Sequence, residues 1–307
     1  MFPNPIPLFY LGNKLIEISA YGICISLGIL ACIIVLFLYT KKKGVPAQVQ
    51  DFIFFVGIVA IAIGFLSGKL FQAFYDYLKT GNFNFYSAGM TVMGGLIGGA
   101  LTFLLLYFGA GKLVFRGKEK NLHIKHFKDV LLVAPICIVI AHAFGRLGCL
   151  SAGCCHGAYL GQEYVLGGIW MKGSVTITSG MHTYTTWMMG YFVPTQLYEA
   201  LFLFVLFAVL SVLYFKRINV ILSIYLIAYG IWRILIELLR TDYRGAIILG
   251  LAPSQWQSII FIAIGISLLI LYYFLKIPFR LPKDKENIKQ SKEQKKIALM
   301  KDDNSVK

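Results

Sequence analysis

The stretch that decides the fold runs from residue 130 to residue 150 and reads VLLVAPICIVIAHAFGRLGCL. It is as long as a helix that crosses the hydrocarbon core of a bilayer, for which about 20 mostly apolar residues are needed. Near its end lie His142 and Arg146, which are four residues apart and therefore share one face of a helix. A charged side chain at this depth is costly and usually faces an interior cavity. This stretch therefore predicts a transmembrane helix that contributes side chains to a functional site.

The composition of the whole chain excludes most classes of protein. Of its 307 residues, 58% are hydrophobic and only 14% are charged, and the mean hydropathy is +0.73. A soluble domain has about 45–50% apolar and about 25% charged residues, so a soluble globular enzyme is excluded. Disorder is excluded for the same reason, except at the C-terminus. The class that remains is a polytopic membrane protein.

Seven apolar stretches are long enough to cross a membrane, and together they predict an all-α polytopic membrane protein. They cover Ile18–Tyr39, Phe52–Phe74, Gly89–Phe108, Val130–Leu150, Thr195–Phe215, Val220–Leu239 and Ser258–Leu275. No basic region and no small-residue cleavage site precedes the first stretch. We therefore expect the first stretch to be retained rather than removed as a signal peptide.

The distribution of positive charge predicts the orientation. Of the 29 Lys and Arg residues, 21 lie in alternate connections and in the C-terminal tail. The positive-inside rule then places the C-terminus in the cytoplasm and the N-terminus outside, as an odd number of spans requires. The net charge of +15 thus indicates orientation beside anionic lipid and not a nucleic-acid-binding surface.

The chain divides into a membrane domain and a tail. We expect residues 1–281 to form the seven-helix domain and residues 282–307, which are charged and lack an apolar period, to form a disordered basic cytoplasmic tail. The longest outer connection, at about residues 151–194, is rich in Gly, Tyr, Trp and Thr. It is expected to be either a plain loop or an aromatic element on the outer leaflet.

Ionisable side chains also lie inside three other predicted spans. Arg233, Glu237 and Arg240 are spaced by four and three residues, which puts them on one stripe of a helix. Glu199 lies just inside the fifth span and Lys69 in the second. Taken singly, these residues have structural explanations, because Arg233 with Glu237 could be an ion pair and Lys69 could reach the surface through its aliphatic stem.

Arg146 and Arg233 together favour a functional explanation. Both fall in the outer half of their spans, and a guanidinium donates two parallel hydrogen bonds that fit the oxygens of a phosphate. Two such groups at one depth predict a site for an anion such as the phosphate of a membrane lipid. Glu237 would then hold the guanidinium of Arg233 in place.

Small residues recur at helical spacing in the third span. The segment Thr91–Gly99 reads TVMGGLIGG and contains the pairs Gly94/Gly98 and Gly95/Gly99. Such pairs allow two helices to pack closely. They also leave backbone open to a lipid headgroup, and the two uses are compatible.

Cysteines cluster after the fourth span, as Cys149, Cys154 and Cys155, and are followed by His156. Their spacing lacks the two-plus-two arrangement of ordinary zinc sites, so no metal and no cofactor is predicted. In an oxidising compartment the alternative is a disulfide between Cys149 and either Cys154 or Cys155. Free, packed thiols are the expectation.

The chain carries five motifs in a fixed order: AYG at 20–22, GGLIGG at 94–99, GRLG at 145–148 closing with Gly157, PTQLYE at 194–199 and YGIWRILIELLR at 229–240. Their identity and order resemble the prolipoprotein diacylglyceryl transferase family. The resemblance covers the chain from about Tyr21 to the last span. It implies the seven spans, the outer N-terminus and the bacterial cytoplasmic (inner) membrane of that family.

The resemblance also implies a reaction. A family member transfers the diacylglyceryl group of phosphatidylglycerol to the lipobox cysteine in the signal peptide of a prolipoprotein, and glycerol phosphate is released when the thioether forms. Such a site must favour the thiolate of the acceptor and stabilise the departing phosphate. The implied partners are therefore phosphatidylglycerol, other membrane lipid and prolipoprotein signal peptides, with no nucleic acid.

By position, the resemblance assigns roles to residues of this chain. Arg146 would bind the lipid phosphate, Arg233 would stabilise the leaving group, and Glu237 would orient Arg233. Tyr21 would position the headgroup. The positions implied to shape the cavity or to contact substrate are Glu199, Gly157, Gly94, Gly95, Gly98, Cys149 and Arg240.

The chain departs from the family pattern at several positions. Met93 stands where the family has a histidine that could take a proton, Cys149 stands where it has an asparagine, and Lys69 stands where it has an arginine. A substitute base is therefore needed, for which His142 is the first candidate and His156 the second. A packing histidine is the alternative explanation of His142.

Three other functions fit the sequence less well. One is a transferase of the same fold with a different acceptor, and another is a non-enzymatic lipid or anion transporter, although no inverted pair of broken helices is visible. The third is a membrane protein that uses the cysteine cluster for thiol redox chemistry.

Overall fold

The computed structural model describes residues 6–11, 14–86, 89–117, 120–179, 182–240 and 251–274. Its elements, in chain order, are β1 (Ile6–Leu11), β2 (Lys14–Ile18), α1 (Ala20–Lys42), α2 (Ala47–Thr80), α3 (Val92–Val114), α4 (Leu122–Ala152), β3 (Tyr159–Gly161), β4 (Ile169–Ser179), β5 (His182–Phe192), α5 (Thr195–Phe215), α6 (Ile221–Glu237) and α7 (Pro253–Phe274). The predicted tail, residues 282–307, lies outside the described residues.

Each of the seven predicted spans coincides with one of the seven helices in the described part of the chain. Six of them, all except α6, are long and apolar enough to cross a membrane. α6 has 17 residues, which is about 26 Å at 1.5 Å per residue, against a hydrocarbon core of about 30 Å. The helices confirm a polytopic α-helical membrane protein, while the count of seven crossings and the orientation of the termini stay predictions.

The helices expose apolar side chains on the faces that the interior does not use. α1 exposes Leu27, Leu30, Ile34 and Leu38, which are three or four residues apart and so form one face. Leaving such side chains in water would forgo about 1.5–3 kcal/mol for each of them, whereas lipid solvates them. The exposed faces therefore agree with a bilayer as the surroundings.

The described residues fold into two compact units, one within residues 1–39 and 131–277 and the other within residues 40–130. The first contains most of α1 and of α4, the five strands and α5 to α7, and the second contains the end of α1, α2, α3 and the start of α4. The predicted catalytic side chains all belong to the first unit, and the glycine pairs of the third predicted span belong to the second.

The first unit is held together by an apolar core between its helices. Val139 of α4, Leu203 of α5 and Tyr225 of α6 are among the buried members of this core. A Cβ on Gly28 of α1 would lie 3.0 Å from the Cβ of Phe144 of α4, so the glycine lets the two helices approach closely. Small residues at helix contacts serve this purpose in membranes, where van der Waals packing drives helix association.

In the second unit, α2 and α3 pack along the glycine pairs. A Cβ on Gly95 would lie 3.3 Å from the carbonyl oxygen of Gly64, and Ser67 donates a 2.8 Å hydrogen bond to the carbonyl oxygen of Gly94. Ser67 also occupies the space that a side chain at Gly98 would need. The close helix contact predicted from these glycines is therefore confirmed, and their contact with substrate stays a prediction.

The described residues also form two small antiparallel sheets, which the all-α prediction omits. β1 pairs with β2, and β5 lies between β3 and β4. The predicted outer connection is thus largely a hairpin of β4 and β5 rather than a plain loop. Met171 and Phe192 on one face of this hairpin are buried, and Trp170 and Trp187 on the other face are exposed. This period of two, carried by aromatic and β-branched residues, is the strand signal that a search for long apolar runs overlooks.

Candidate functional site

His142 and Arg146 lie one turn apart near the end of α4, as their spacing predicts. Arg146 Nε donates a 3.2 Å hydrogen bond to His142 Nε2. Since a guanidinium has donors only, His142 accepts at Nε2 and carries its proton on Nδ1 as a neutral imidazole. The lone pair that a base would use is therefore engaged by Arg146 in this state of the protein.

Glu199, in the first turns of α5, is the residue around which the site is built. Its side chain is fully buried, its Oε2 lies 2.9 Å from Arg146 Nε, and its Oε1 accepts a 3.1 Å hydrogen bond from the Tyr229 hydroxyl. Oε1 also lies 3.7 Å from His142 Nε2. An unpaired buried carboxylate would be very costly, so these partners from α4 and α6 are what allow Glu199 to sit in the interior. Sequence reasoning assigned Glu199 to the cavity but missed its pairing with Arg146.

Arg233 and Glu237 form a second ion pair, four residues apart on α6. Arg233 Nη2 lies 3.0 Å from Glu237 Oε2, and the two side chains are only 10% and 11% exposed. The other terminal nitrogen, Nη1, is buried and has no hydrogen-bond partner among the residues that the structure describes. A buried donor without an acceptor is costly. Arg233 Nη1 is therefore available to an anion.

Arg240 is not on the helical stripe that its spacing predicts. α6 ends at Glu237, and the backbone N–H of Arg240 donates a 3.1 Å hydrogen bond to the Glu237 carbonyl oxygen in a turn. The Leu239 carbonyl oxygen accepts a 3.3 Å hydrogen bond from Ala158, in the loop that follows α4. The Arg240 side chain is nonetheless buried, and its charge acts on the Cys155 thiol.

Arg146 and Arg233 belong to one network across α4 and α6. Both guanidiniums act electrostatically on the His142 ring and on the Tyr229 hydroxyl. The His142 and Tyr229 rings contact each other edge to face, with centroids 5.3 Å apart. Both predicted arginines thus lie near the same histidine and tyrosine, while their approach to each other and their contact with a phosphate stay predictions.

Tyr21 lies in the first turn of α1, beside the end of α4. A Cβ on Gly148 would lie 3.1 Å from the Tyr21 ring and 3.3 Å from the Cβ of Cys24, so Gly148 lets α1 approach α4 at this point. Tyr21 is 43% exposed, and the charge of Arg146 acts on its hydroxyl. Tyr21 is therefore near Arg146 and also accessible from outside the helices.

Two side chains of the PTQLYE motif fix the loop that follows α4. Thr195 donates a 2.9 Å hydrogen bond to the carbonyl oxygen of Cys155, and Gln196 donates one of 2.6 Å to that of Cys154. In the same loop, Gly157 packs so closely against Leu239 that a Cβ would meet its carbonyl oxygen. Sequence reasoning missed the two side-chain roles, although two polar residues at the start of an apolar span are a signal for them.

His156 is packed within this loop. It is buried, its Nδ1 lies 2.9 Å from the Gly157 carbonyl oxygen, and its ring centroid lies 4.3 Å from that of Phe192. Because a carbonyl oxygen only accepts hydrogen bonds, Nδ1 carries the proton. Its Nε2 faces Gly173, where it would contact a Cβ. These contacts favour a structural role for His156 over the role of substitute base.

The three cysteines that follow Arg146 along the chain form a cluster. The Sγ atoms of Cys149, Cys154 and Cys155 all lie within 4.8 Å of one another. All three are free thiols, in agreement with the expectation, and the alternative disulfide is not formed in this structure.

Lys69 belongs to the second unit, where its ammonium contacts an aromatic ring. Lys69 Nζ lies 5.0 Å from the centroid of the Phe85 ring, which is within the range of a cation–π contact. Phe85 follows the end of α2, so the lysine reaches toward the end of its helix. This geometry favours the structural explanation of Lys69.

A groove of about 510 Å³ runs along the exposed side of α1. Its lining is mostly apolar and includes Ser19, Gly22, Ser26 and Leu30. None of the predicted site residues lines it, so this groove and the arginine network are separate features.

Comparison with known proteins points to one family. The family model described as prolipoprotein diacylglyceryl transferase matches residues 8–271. A phosphatidylglycerol–prolipoprotein diacylglyceryl transferase of Clostridium tetani is 34% identical over 264 residues, which cover 82% of this chain and 92% of that protein. Phosphatidylglycerol–prolipoprotein diacylglyceryl transferase 2 of Clostridium perfringens is 31% identical over 262 residues, which cover 81% of this chain and 89% of that protein. A phosphatidylglycerol–prolipoprotein diacylglyceryl transferase of Streptococcus pneumoniae is 29% identical over 286 residues, which cover 88% of this chain and 96% of that protein.

Proposed function

Since the chain belongs to the prolipoprotein diacylglyceryl transferase family, we propose that it transfers the diacylglyceryl group of phosphatidylglycerol to the lipobox cysteine of prolipoprotein signal peptides. The cysteine thiolate attacks the glyceryl carbon that bears the phosphate, and the carbon–oxygen bond to the phosphate breaks as the thioether forms. The oxygen keeps the bonding electrons and leaves as part of glycerol phosphate, while the thiol proton passes to a base. The reaction therefore needs a site for the phosphate and a base for the proton.

The observation that carries the proposal is the available nitrogen of Arg233. Nη1 is buried without a hydrogen-bond partner among the described residues, while Nη2 is held 3.0 Å from Glu237. A guanidinium that is fixed by a carboxylate on one edge presents its other donors to an anion in a set direction. The phosphate gains negative charge as glycerol phosphate departs. Donors that are already in place therefore stabilise the transition state more than the bound lipid.

Arg146 binds the same phosphate from the side of α4. Its Nε is committed to His142 and lies beside Glu199, so its terminal nitrogens meet the phosphate. Two guanidiniums on separate helices then hold the phosphate between them. Each has a glutamate partner, which lowers the cost of burying two positive charges close together.

His142 is the base that takes the thiol proton. When the terminal nitrogens of Arg146 bind the phosphate, the guanidinium moves toward it and Nε releases His142 Nε2, which then accepts the proton. Glu199 Oε1, 3.7 Å from Nε2, stabilises the imidazolium that results, as an opposite charge at this distance does. In this way α4 supplies the base that Met93 cannot provide.

Tyr21 binds the lipid headgroup from the first turn of α1. Its partly exposed ring and the nearby charge of Arg146 support this role. Glu199 shapes the cavity by holding Arg146. Further contacts with substrate are proposed for Gly94, Gly95, Gly98, Gly157, Cys149 and Arg240.

The protein acts in the bacterial cytoplasmic (inner) membrane, with seven crossings, the N-terminus outside and the C-terminus in the cytoplasm. The 21 basic residues in alternate connections and in the tail support this orientation. A reporter that is active only in the cytoplasm, fused after Lys307, is expected to be active. A reporter that is active only outside would contradict the orientation if it worked at the same position.

The transfer itself is tested with the purified protein in phosphatidylglycerol vesicles and a synthetic lipobox peptide, whose mass is followed. We expect the peptide to gain one diacylglyceryl group and glycerol phosphate to be released. A peptide with serine in place of its cysteine, and vesicles of phosphatidylethanolamine, should give neither product. Release of glycerol phosphate without a peptide adduct would indicate a different acceptor. The absence of both products, where the Clostridium tetani relative gives them, would overturn the proposal.

A further inference from the structure

The side chains of Cys149, Cys154 and Cys155 form a cluster whose thiol chemistry has no part in the proposed transfer. Their Sγ atoms lie within 4.8 Å of one another, and all three side chains are half-buried. Three sulfurs that share one ion lie about 3.7–4 Å apart, given metal–sulfur bonds of about 2.3 Å. A small rotation of the side chains would therefore convert this cluster into a three-sulfur coordination site.

The loop that carries two of these thiols is fixed before any ligand binds. Gly153 has φ +69° and packs so closely against the Lys172 carbonyl oxygen that a Cβ would collide with it. Cys155 itself has φ 62°, a left-handed conformation that costs about 1–3 kcal/mol and persists only where the surroundings impose it. Thr195 holds the Cys155 carbonyl oxygen at 2.9 Å. Little conformational entropy is left to lose when an ion binds.

Two positive charges, those of Arg240 and Arg146, act on the Cys155 thiol. The cluster is thus a partly accessible group of sulfurs beside fixed positive charges.

We propose that Cys149, Cys154 and Cys155 bind one soft metal ion, such as Cu⁺ or Cd²⁺, through three thiolate ligands. Soft ions prefer sulfur, whereas Mg²⁺ and Ca²⁺ prefer oxygen. His156 does not supply a fourth ligand, because its Nδ1 donates to the Gly157 carbonyl oxygen and its ring is packed in the loop. Each thiol releases its proton when the ion binds.

A disulfide is the competing outcome for this cluster. It would join two of the three sulfurs, release two electrons and two protons to an external oxidant, and leave the third thiol unused. A disulfide requires the approach of only two sulfurs. The mutual approach of all three therefore favours the ion.

Occupation of the site is expected to inhibit the transfer. Cys149 lies three residues after Arg146 on α4, and the charge of Arg146 acts on both Cys149 and Cys155. A metal ion with three thiolates has a net negative charge, which draws the Arg146 guanidinium away from the lipid phosphate. This consequence rests on the proposed function, whereas metal binding itself does not.

Metal binding is tested by equilibrium dialysis of the reduced, detergent-solubilised full chain against Cd²⁺, with ultraviolet thiolate-to-metal charge-transfer absorption as the sign of sulfur ligands. We expect one Cd²⁺ per chain, and no competition from Mg²⁺. Cys149→Ser, Cys154→Ser and Cys155→Ser should each lower the affinity at least about tenfold, since loss of a group that merely supports a ligand costs about 10–100-fold. The control Cys32→Ala, which removes a thiol outside the cluster, should leave the affinity unchanged.

Thermal unfolding of each variant shows whether a substitution removes a metal ligand or disrupts the fold. The proposal requires that the affinity for Cd²⁺ falls in cluster variants whose melting temperature equals that of the unsubstituted protein. The proposal is overturned if the reduced protein binds no Cd²⁺ through sulfur, or if Cys32→Ala weakens binding as much as the cluster variants do. It is also overturned if alkylation of freshly extracted membranes shows that two cluster cysteines are already joined. A missing peptide adduct in the transfer assay changes none of these outcomes, so the two proposals fail independently.

Discussion

Arg146 Nε lies 2.9 Å from Oε2 of Glu199, whose side chain is fully buried. This contact joins the end of α4 to the start of α5, and the Tyr229 hydroxyl brings in α6 at 3.1 Å. A buried ion pair adds little net stability, because the desolvation of both charges offsets most of their attraction. The pair instead fixes the direction of the arginine that binds the lipid phosphate in the proposed mechanism.

Replacing Glu199 by Gln removes the charge that balances Arg146 but keeps an oxygen for the Tyr229 hydroxyl. We expect kcat to fall about 100-fold, which is the cost of misplacing a positioned group by about 1 Å. Glu199→Ala should also lower the free energy of unfolding by about 3–5 kcal/mol, since it leaves a buried charge unpaired. The vesicle assay and a detergent unfolding titration measure the two effects. Normal turnover in Glu199→Gln would show that the ion pair has no part in catalysis.

Tyr229→Phe removes one hydrogen bond to Glu199 and keeps the ring that contacts His142. A hydrogen bond to a charged group contributes about 1.5–3 kcal/mol, so the free energy of unfolding should fall by that amount. Tyr225→Phe is the matched control, because it loses the same hydroxyl one turn earlier and keeps its stacking on Tyr229, with centroids 6.0 Å apart. Equal losses in the two variants would argue against a special role of the Tyr229–Glu199 bond.

Arg233→Lys keeps the positive charge but loses the planar fork of donors. We expect kcat to fall about 10²–10³-fold, as when one donor to a developing oxyanion is removed, with a smaller change in KM. Glu237→Gln should have a weaker effect, and adding it to Arg233→Lys should cause little further loss, because Glu237 acts through Arg233. If the two losses simply add, Glu237 has a separate role.

Gly148→Ala and Gly145→Ala make the same change in one helix with different neighbours. A Cβ at Gly148 would lie 3.1 Å from the Tyr21 ring, whereas one at Gly145 would lie 3.9 Å from the flexible end of Ile25. We expect Gly148→Ala to displace Tyr21 and to raise KM for phosphatidylglycerol. Gly145→Ala should leave KM unchanged and slightly favour the helix. The same KM in both variants would remove Tyr21 from headgroup binding.

His142→Gln keeps an acceptor for the Arg146 N–H but cannot take a proton. We expect a rate loss of about 10²–10⁴-fold, the usual contribution of a general base, together with loss of the decline in rate at low pH. His142→Ala should be at least as impaired, because Arg146 also loses its partner. If His142→Gln turned over at the normal rate, His142 would be a positioning residue and not the base.

The contacts that the sequence predicts are those that helix geometry determines locally. His142 with Arg146, and Arg233 with Glu237, are four residues apart, so any helix brings them together. The pairing of Arg146 with Glu199 joins two helices that are distant in sequence, and no periodicity indicates it. The signal for this pairing in the sequence is that separate spans carry charges of opposite sign.

The features that the sequence analysis misplaces depend either on tertiary contacts or on the two-residue period of a β-strand. The stripe predicted for Arg240 assumes that α6 continues, but the helix ends at Glu237, and the Leu239 carbonyl oxygen binds the loop after α4. The β4–β5 hairpin was missed because its alternation of buried and exposed residues has a low average hydropathy over a long window. The sequence identifies Met93 and Cys149 as departures from the family pattern. Only the structure shows which residues surround Cys149.

The most direct test is a cryo-electron-microscopy structure of the protein with phosphatidylglycerol bound and no acceptor peptide present. Guanidinium nitrogens of both Arg146 and Arg233 are expected at about 2.7–2.9 Å from oxygens of the lipid phosphate, as in charge-assisted hydrogen bonds. A phosphate bound elsewhere, or one that contacts neither arginine, would contradict the claim that α4 and α6 hold the lipid between two guanidiniums.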